Sequence, residues 1–170
     1  LQSKNERLTV AGMMIAVGII LPFATSHGFG IPGTVLLPMH IPVFLCGFLC
    51  GPSYGLLCGF LLPILNAVLT GMPSFYPMMP IMAFELLTYG CVSGALYRYT
   101  KKLYLSMLIA MIGGRIMYGL VFALLFVIKG TGKALTVWGA IATGIPGIVI
   151  QLLLVPGIVL LVKRTLYGRR

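Results

Sequence analysis

From Leu36 to Arg98 the chain reads LLPMHIPVFLCGFLCGPSYGLLCGFLLPILNAVLTGMPSFYPMMPIMAFELLTYGCVSGALYR: three apolar segments, two Gly/Pro turns and a single acid, Glu85. A stretch so poor in charge has no polar face to turn toward water, and it reads as a membrane hairpin array rather than a soluble core. An α-helix rising ~1.5 Å per residue needs ~20 residues to cross ~30 Å of hydrocarbon. Met78 to Arg98 has that length.

Composition narrows the class further. With 59% hydrophobic and 8% charged residues, and 22 Gly and 11 Pro in 170 positions, the chain cannot present a charged soluble surface, and its Gly and Pro suit helices packed in lipid. The expectation is one all-α membrane domain over residues 1–170. A net charge of +10 would suit a nucleic acid, but the Lys and Arg residues lie almost entirely at the ends of apolar runs, where they orient a protein against a membrane. Cys46, Cys50, Cys58 and Cys91 lie inside apolar segments and read as small packing residues, not as a metal site. No A-x-A-like exit follows the N-terminal apolar run, so the first helix is expected to be retained.

In chain order, Lys4 and Arg7 precede an apolar run ended by Pro22, a first span over 8–22. Gly12 and Ala16 in it are four apart on one helical face and permit close approach of another backbone, either within the protein or from a partner. Residues 23–35 carry no Lys or Arg and are rich in Gly, Pro, Ser and Thr, which marks an outer loop. His27 there reads as a solvated loop residue. The second span, 36–50, reaches only ~22 Å and holds Pro38 and Pro42, and short or broken helices often line polar sites. His40 near its outer start is either a pocket residue or bonded to a carbonyl freed by a proline.

Gly51-Pro52-Ser53 turns the chain back into a third span, 54–70, with Asn66 in its outer half as interhelical glue or a binding group. The loop 71–77 presents Phe75 and Tyr76, an interfacial pair or a lid over a pocket. The fourth span, 78–98, carries Glu85 ~11 Å from its outer end. The fifth, 103–128, carries Arg115 ~18 Å from its inner end, a depth at which a charge costs about 2.5–3.5 kcal/mol. The two depths differ by ~9 Å, which a long Arg side chain can largely close, so these residues form a structural pair or a substrate site. The sixth span, 137–162, is interrupted by Pro146-Gly147 and Pro156-Gly157, with Gln151 between the breaks. Nine cations flank the inner ends (4, 7, 98, 101, 102, 163, 164, 169 and 170) against two outer ones (129 and 133), which places both termini in the cytoplasm.

LPMHIPVFLCG, GPSYG, LTGMPSFYPM and AFELLTYGCVSGALYR resemble the substrate-binding S component of energy-coupling factor (ECF) vitamin transporters, nearest to the branch that includes the pantothenate proteins. The likeness covers the first four spans well and the last third in its hydropathy alone. It implies a subunit of the bacterial cytoplasmic membrane that binds a vitamin or precursor from outside, with pantothenate the first expectation and folate, riboflavin or a queuosine precursor the alternatives. It also implies partners: a transmembrane scaffold subunit and two ATPases. S components dock on the scaffold through an Ala-x-x-x-Ala type signature on the first helix, whose matching positions here are Gly12 and Ala16, with Gly for the first Ala.

His40, Asn66, Tyr76, Glu85, Arg115 and Gln151 form the expected substrate-binding set, the five of them inside spans coming from five different helices. No HExxH or GxSxG motif occurs and no second carboxylate joins Glu85 in the array, which argues against an intramembrane enzyme. No metal or cofactor is expected. A lone Glu-Arg pair is poor material for the proton relay of a stand-alone carrier, and a purely structural scaffold needs fewer polar groups than these. There is no Walker A motif, so ATP coupling has to come from partners.

Overall fold

The computed structural model describes residues 3–25, 30, 33–129 and 137–167; His27, Lys133, Arg169 and Arg170 lie outside them. The helices are α1 (Lys4–Phe23), α2 (Gly33–Leu36), α3 (His40–Cys50), α4 (Pro52–Thr70), α5 (Met78–Thr100), α6 (Leu103–Lys129) and α7 (Val137–Tyr167), and no strand occurs among the described residues.

The helix ends follow local chemistry. Ser3 and Glu6 form a capping box in which Ser3 Oγ accepts from the Glu6 N–H at 3.1 Å and Glu6 Oε2 accepts from the Ser3 N–H at 3.5 Å. That satisfies two groups at the helix start and carries α1 a turn further than the apolar pattern, to Lys4. Gly51 separates α3 from α4 at φ 100°, a conformation that favours glycine, and Pro52 then opens α4 where its missing N–H costs nothing. Pro22, Pro146 and Pro156 lie inside continuous helices, so neither α1 nor α7 breaks at its proline. In lipid a local helical adjustment costs less than exposing a whole turn of backbone.

The second span expected over 36–50 is divided. Pro38 disfavours the helical region for the residue before it, and Leu37 turns to φ 49°, which ends α2 and lets α3 start at His40. At ~16 Å, α3 is too short to cross a bilayer. It forms the core instead: every residue except Ile41 and Leu49 is buried, and α3 packs against α1, α4, α5 and α7. Around it α1 contacts α4, α4 contacts α5, α5 contacts α6 and α6 contacts α7. Its backbone bonds are thus covered by protein rather than lipid, the one setting in which a sub-length helix is tolerated at membrane depth.

Two devices hold α3 in place. On one side the backbones of α3, α4 and α5 meet at Gly47, Gly55, Gly59, Gly90 and Gly94; a Cβ on Gly47 would lie 2.6 Å from the Gly90 carbonyl oxygen, and one on Gly94 2.8 Å from the Gly47 oxygen. On the other, rings run the length of α3 against α5: His40 and Phe44 each sit 5.2 Å from Tyr89, and Phe48 sits edge-on to Tyr97 at 5.4 Å. Each such pair contributes about 0.5–1.5 kcal/mol beyond its buried area. Tyr97 is capped in turn by Lys163 of α7, whose ammonium lies 4.0 Å from the ring centre and bonds the phenol oxygen.

Leu8, Met13, Val17 and Ile20 of α1, Ile112, Ile116, Leu120 and Leu124 of α6, and Leu153, Leu160 and Leu161 of α7 are exposed. An apolar exterior of this extent is stable against hydrocarbon and not against water. Five helices (α1, α4, α5, α6 and α7) are long and apolar enough to span a membrane, and α3 is the shorter apolar one.

Candidate functional site

Glu85 and Tyr89 are one turn apart on α5 and point the same way. Glu85 is 2% exposed, and its Oε1 accepts from the Tyr89 hydroxyl at 2.8 Å and from Arg115 Nη1 of α6 at 2.9 Å. His40 of α3 brings Nε2 to 3.9 Å of the same oxygen. One carboxylate oxygen therefore gathers groups from three helices, and the 9 Å offset in depth inferred for Glu85 and Arg115 is closed by the side chains. Formal charge cancels within the pair, which a buried carboxylate requires.

The arrangement uses little of the hydrogen-bonding capacity of Arg115. Its Nε and Nη2 are buried with no acceptor among the described residues, and both ring nitrogens of His40 lack a hydrogen bond. The His40 ring takes no carbonyl as a partner; its backbone N–H donates to the Leu37 oxygen at 3.1 Å, which also accepts from Gln151 Nε2 at 3.5 Å. Arg115, His40, Gln151, Tyr89 and Leu37 face a cavity of about 540 Å³, walled otherwise by Leu108, Met111, Ile112, Ile116 and Gly119 of α6 and Ile148 of α7. A volume of a few hundred cubic ångströms with mostly apolar walls and a few convergent polar groups is the form of a small-molecule site. Its unpartnered groups include the Nε and Nη2 donors of the Arg115 cation, so an anionic acceptor would complete it.

Asn66 and Tyr76 are not brought to this cavity. Asn66 is buried on α4, where its Nδ2 donates to the carbonyl of Gly18 at 3.1 Å and of Leu62 at 3.0 Å. The Gly18 carbonyl is the one that Pro22 cannot bond, so the amide supplies the N–H the proline lacks and ties α4 to α1. Tyr76 is 40% exposed in the loop before α5. Gly12 and Ala16 lie on the exposed side of α1, and no atom of the described residues comes within 4 Å of a Cβ built on Gly12. The buried small residues of that helix are Ala11 and Gly18, and among the described residues the helix packs through these rather than through Gly12 and Ala16.

Four participants were not read from the sequence. Tyr89 and the Leu37 carbonyl hold Glu85 and Gln151, and Gly144 gives Arg115 room, since a Cβ there would lie 3.2 Å from Nη2. Tyr118, buried with a hydroxyl that has no partner among the described residues, follows Arg115 by three residues on α6. The spacings 85/89 and 115/118 were a legible signal, because each places both residues on one helical face.

Among known families, the model described as ECF transporter, substrate-specific component, matches residues 6–159. No curated protein and no solved structure matches the chain.

Proposed function

The chain belongs to the family of ECF transporter substrate-specific components, and from that premise we propose that it captures pantothenate from outside the cell and hands it inward through an ATPase-driven module. Membership makes it a substrate-binding transport subunit of a membrane assembly and not an enzyme, working with scaffold and ATPase subunits on a small molecule. The choice of pantothenate rests on the likeness of residues 36–98 to that branch and on the chemistry of the cavity; folate, riboflavin and a queuosine precursor are the alternatives within the family.

The observation that carries the reading is Arg115. Glu85 holds the guanidinium by Nη1 alone, while Nε and Nη2 have no acceptor among the described residues and lie beside an apolar cavity of about 540 Å³. A carboxylate placed there receives two parallel hydrogen bonds from one planar group, a geometry that an ammonium cannot reproduce. His40 and Gln151 supply further polar contacts, and Asn66 and Tyr76 are outside the proposed set. Both termini and the basic ends of the helices face the cytoplasm in this reading, with six apolar helices forming the membrane domain of residues 1–170 and Gly12 and Ala16 facing the scaffold subunit of a bacterial cytoplasmic membrane complex.

The test is calorimetry on folded protein. Arg115→Lys is expected to weaken pantothenate at least about tenfold, a loss of about 1.4 kcal/mol, and to change binding of its neutral alcohol analogue far less. Equal losses for the two ligands would assign Arg115 to the contact between α5 and α6 instead.

A further inference from the structure

His40 is 2% exposed, and neither of its ring nitrogens has a hydrogen-bond partner among the described residues. Its Nε2 stays 3.9 Å from Glu85 Oε1, beyond hydrogen-bond reach. The packing makes no use of the nitrogens either, because the ring's contact with Tyr89, 5.2 Å between centres, is one that a plain hydrocarbon ring would make as well. A buried polar group held without a partner weakens the empty protein.

The ring lines the cavity at Arg115, and its surroundings define the missing partner. His40 and Arg115 converge on the same oxygen of Glu85, so both basic side chains face one part of the cavity. The other polar side chains in the wall are engaged, since the Tyr89 hydroxyl donates to Glu85 and Gln151 Nε2 to the Leu37 oxygen. Leu108, Met111, Ile112 and Ile116 of α6 and Ile148 of α7 add an aliphatic wall. A neutral imidazole presents an N–H at one nitrogen and a lone pair at the other. A carboxylate pairs only with the first and an ammonium only with the second, whereas a hydroxyl donates and accepts at one atom and pairs with either tautomer. A second carboxylate would also be repelled by Glu85, and an ammonium by Arg115.

We infer that His40 recognises a hydroxyl on the ligand, so that the site selects aliphatic hydroxy acids, with the carboxylate at Arg115, the hydroxyl at His40 and the hydrocarbon against α6 and α7. The inference rests on this cavity being the ligand site, as proposed above, and adds the residue that sets the choice between acids. An acid without the hydroxyl leaves the imidazole unpaired in a closed complex, and that penalty is the source of the selection.

Calorimetry on the full chain with pantothenate and its two monodeoxy analogues, in each of which one hydroxyl is replaced by hydrogen, tests it. The parent is expected to bind at least one analogue about tenfold or more weakly than pantothenate. His40→Phe keeps a ring on Tyr89 and removes the nitrogens; it should bind pantothenate about tenfold more weakly than the parent does, and that analogue as well as pantothenate. His40→Leu is the second apolar variant in case the larger ring does not fit, and His40→Gln, which keeps a donor and an acceptor, should restore part of the preference. A parent that binds all three ligands alike would overturn the inference and leave the role of Arg115 intact. A preference that persists in both apolar variants would overturn it too, by assigning the hydroxyl to another residue. Lower melting temperatures in both apolar variants, with equal losses for the three ligands, would make His40 structural. Arg115→Lys should weaken all three ligands alike, since each keeps its carboxylate. If it leaves them unchanged while His40→Phe still erases the preference, the anion reading fails and hydroxyl recognition stands.

Discussion

Replacing Glu85 by Gln removes one charge and almost no volume, and the amide oxygen can still accept from the Tyr89 hydroxyl, so the variant isolates the electrostatic part of the site. In the unliganded protein Arg115 is then left without an anion. Breaking a buried ion pair by removing one partner costs about 3–5 kcal/mol. Arg115 is 15% exposed where Glu85 is 2% exposed, so the lower end applies, about 3 kcal/mol. For a chain of this length that corresponds to about 6–12 °C in melting temperature. The same uncompensated cation should attract an anionic ligand more strongly, by at most about the energy lost, or of order a hundredfold in affinity. Thermal melts with and without pantothenate, together with calorimetry, read both effects. The variant should melt lower alone and recover more on adding ligand than the parent does. A folded variant that binds pantothenate more weakly than the parent would refute the reasoning, because Glu85 would then contact the substrate itself.

Asn66→Ala should destabilise by about 1–3 kcal/mol, the cost of a buried carbonyl left unsatisfied at Gly18, with ligand affinity unchanged in calorimetry; unchanged stability with weakened binding would return the amide to the substrate site. Trp at Gly12 or Ala16 should abolish co-purification with the scaffold and ATPase subunits while the isolated protein still binds ligand, since both positions lie on the exposed side of α1. Loss of folding would instead place that face in internal packing. For the topology, single cysteines at the exposed positions 53 and 74, in a background lacking Cys46, Cys50, Cys58 and Cys91, should react with an impermeant thiol reagent from outside at 74 alone; labelling of 53 in sealed cells would invert the assignment of the basic end.

Some of the architecture was legible because it depends on properties each residue carries by itself. Apolar runs of helical length and cations at their ends indicated an all-helical membrane protein, and the quoted segments pointed to the family. The capping pattern Ser3-x-x-Glu6 and the four-residue Gly spacings at 55/59 and 90/94 were equally open to reading, yet they went unused, which is why α1 starts earlier than its apolar pattern and the α4–α5 crossing was not anticipated. Hydropathy also placed α3 within a single short span over 36–50, because an apolar run facing protein and one facing lipid look alike until their neighbours are known.

The sequence by itself determined the solvent this protein requires and the inventory of buried polar groups, since a charge in an apolar run is costly wherever the run finally packs. Only the tertiary structure decided which of those groups meet. Glu85 and Arg115 lie on separate helices at offset depths, and their 2.9 Å contact depends on the placement of α6 against α5. Asn66 went to the Gly18 carbonyl, a choice made by the packing of α1 on α4 and by the hydrogen bond that Pro22 cannot form. Hydrogen bonds reach about 3 Å, so the partner of a buried polar side chain is set by distances between helices that no property of the residue alone contains.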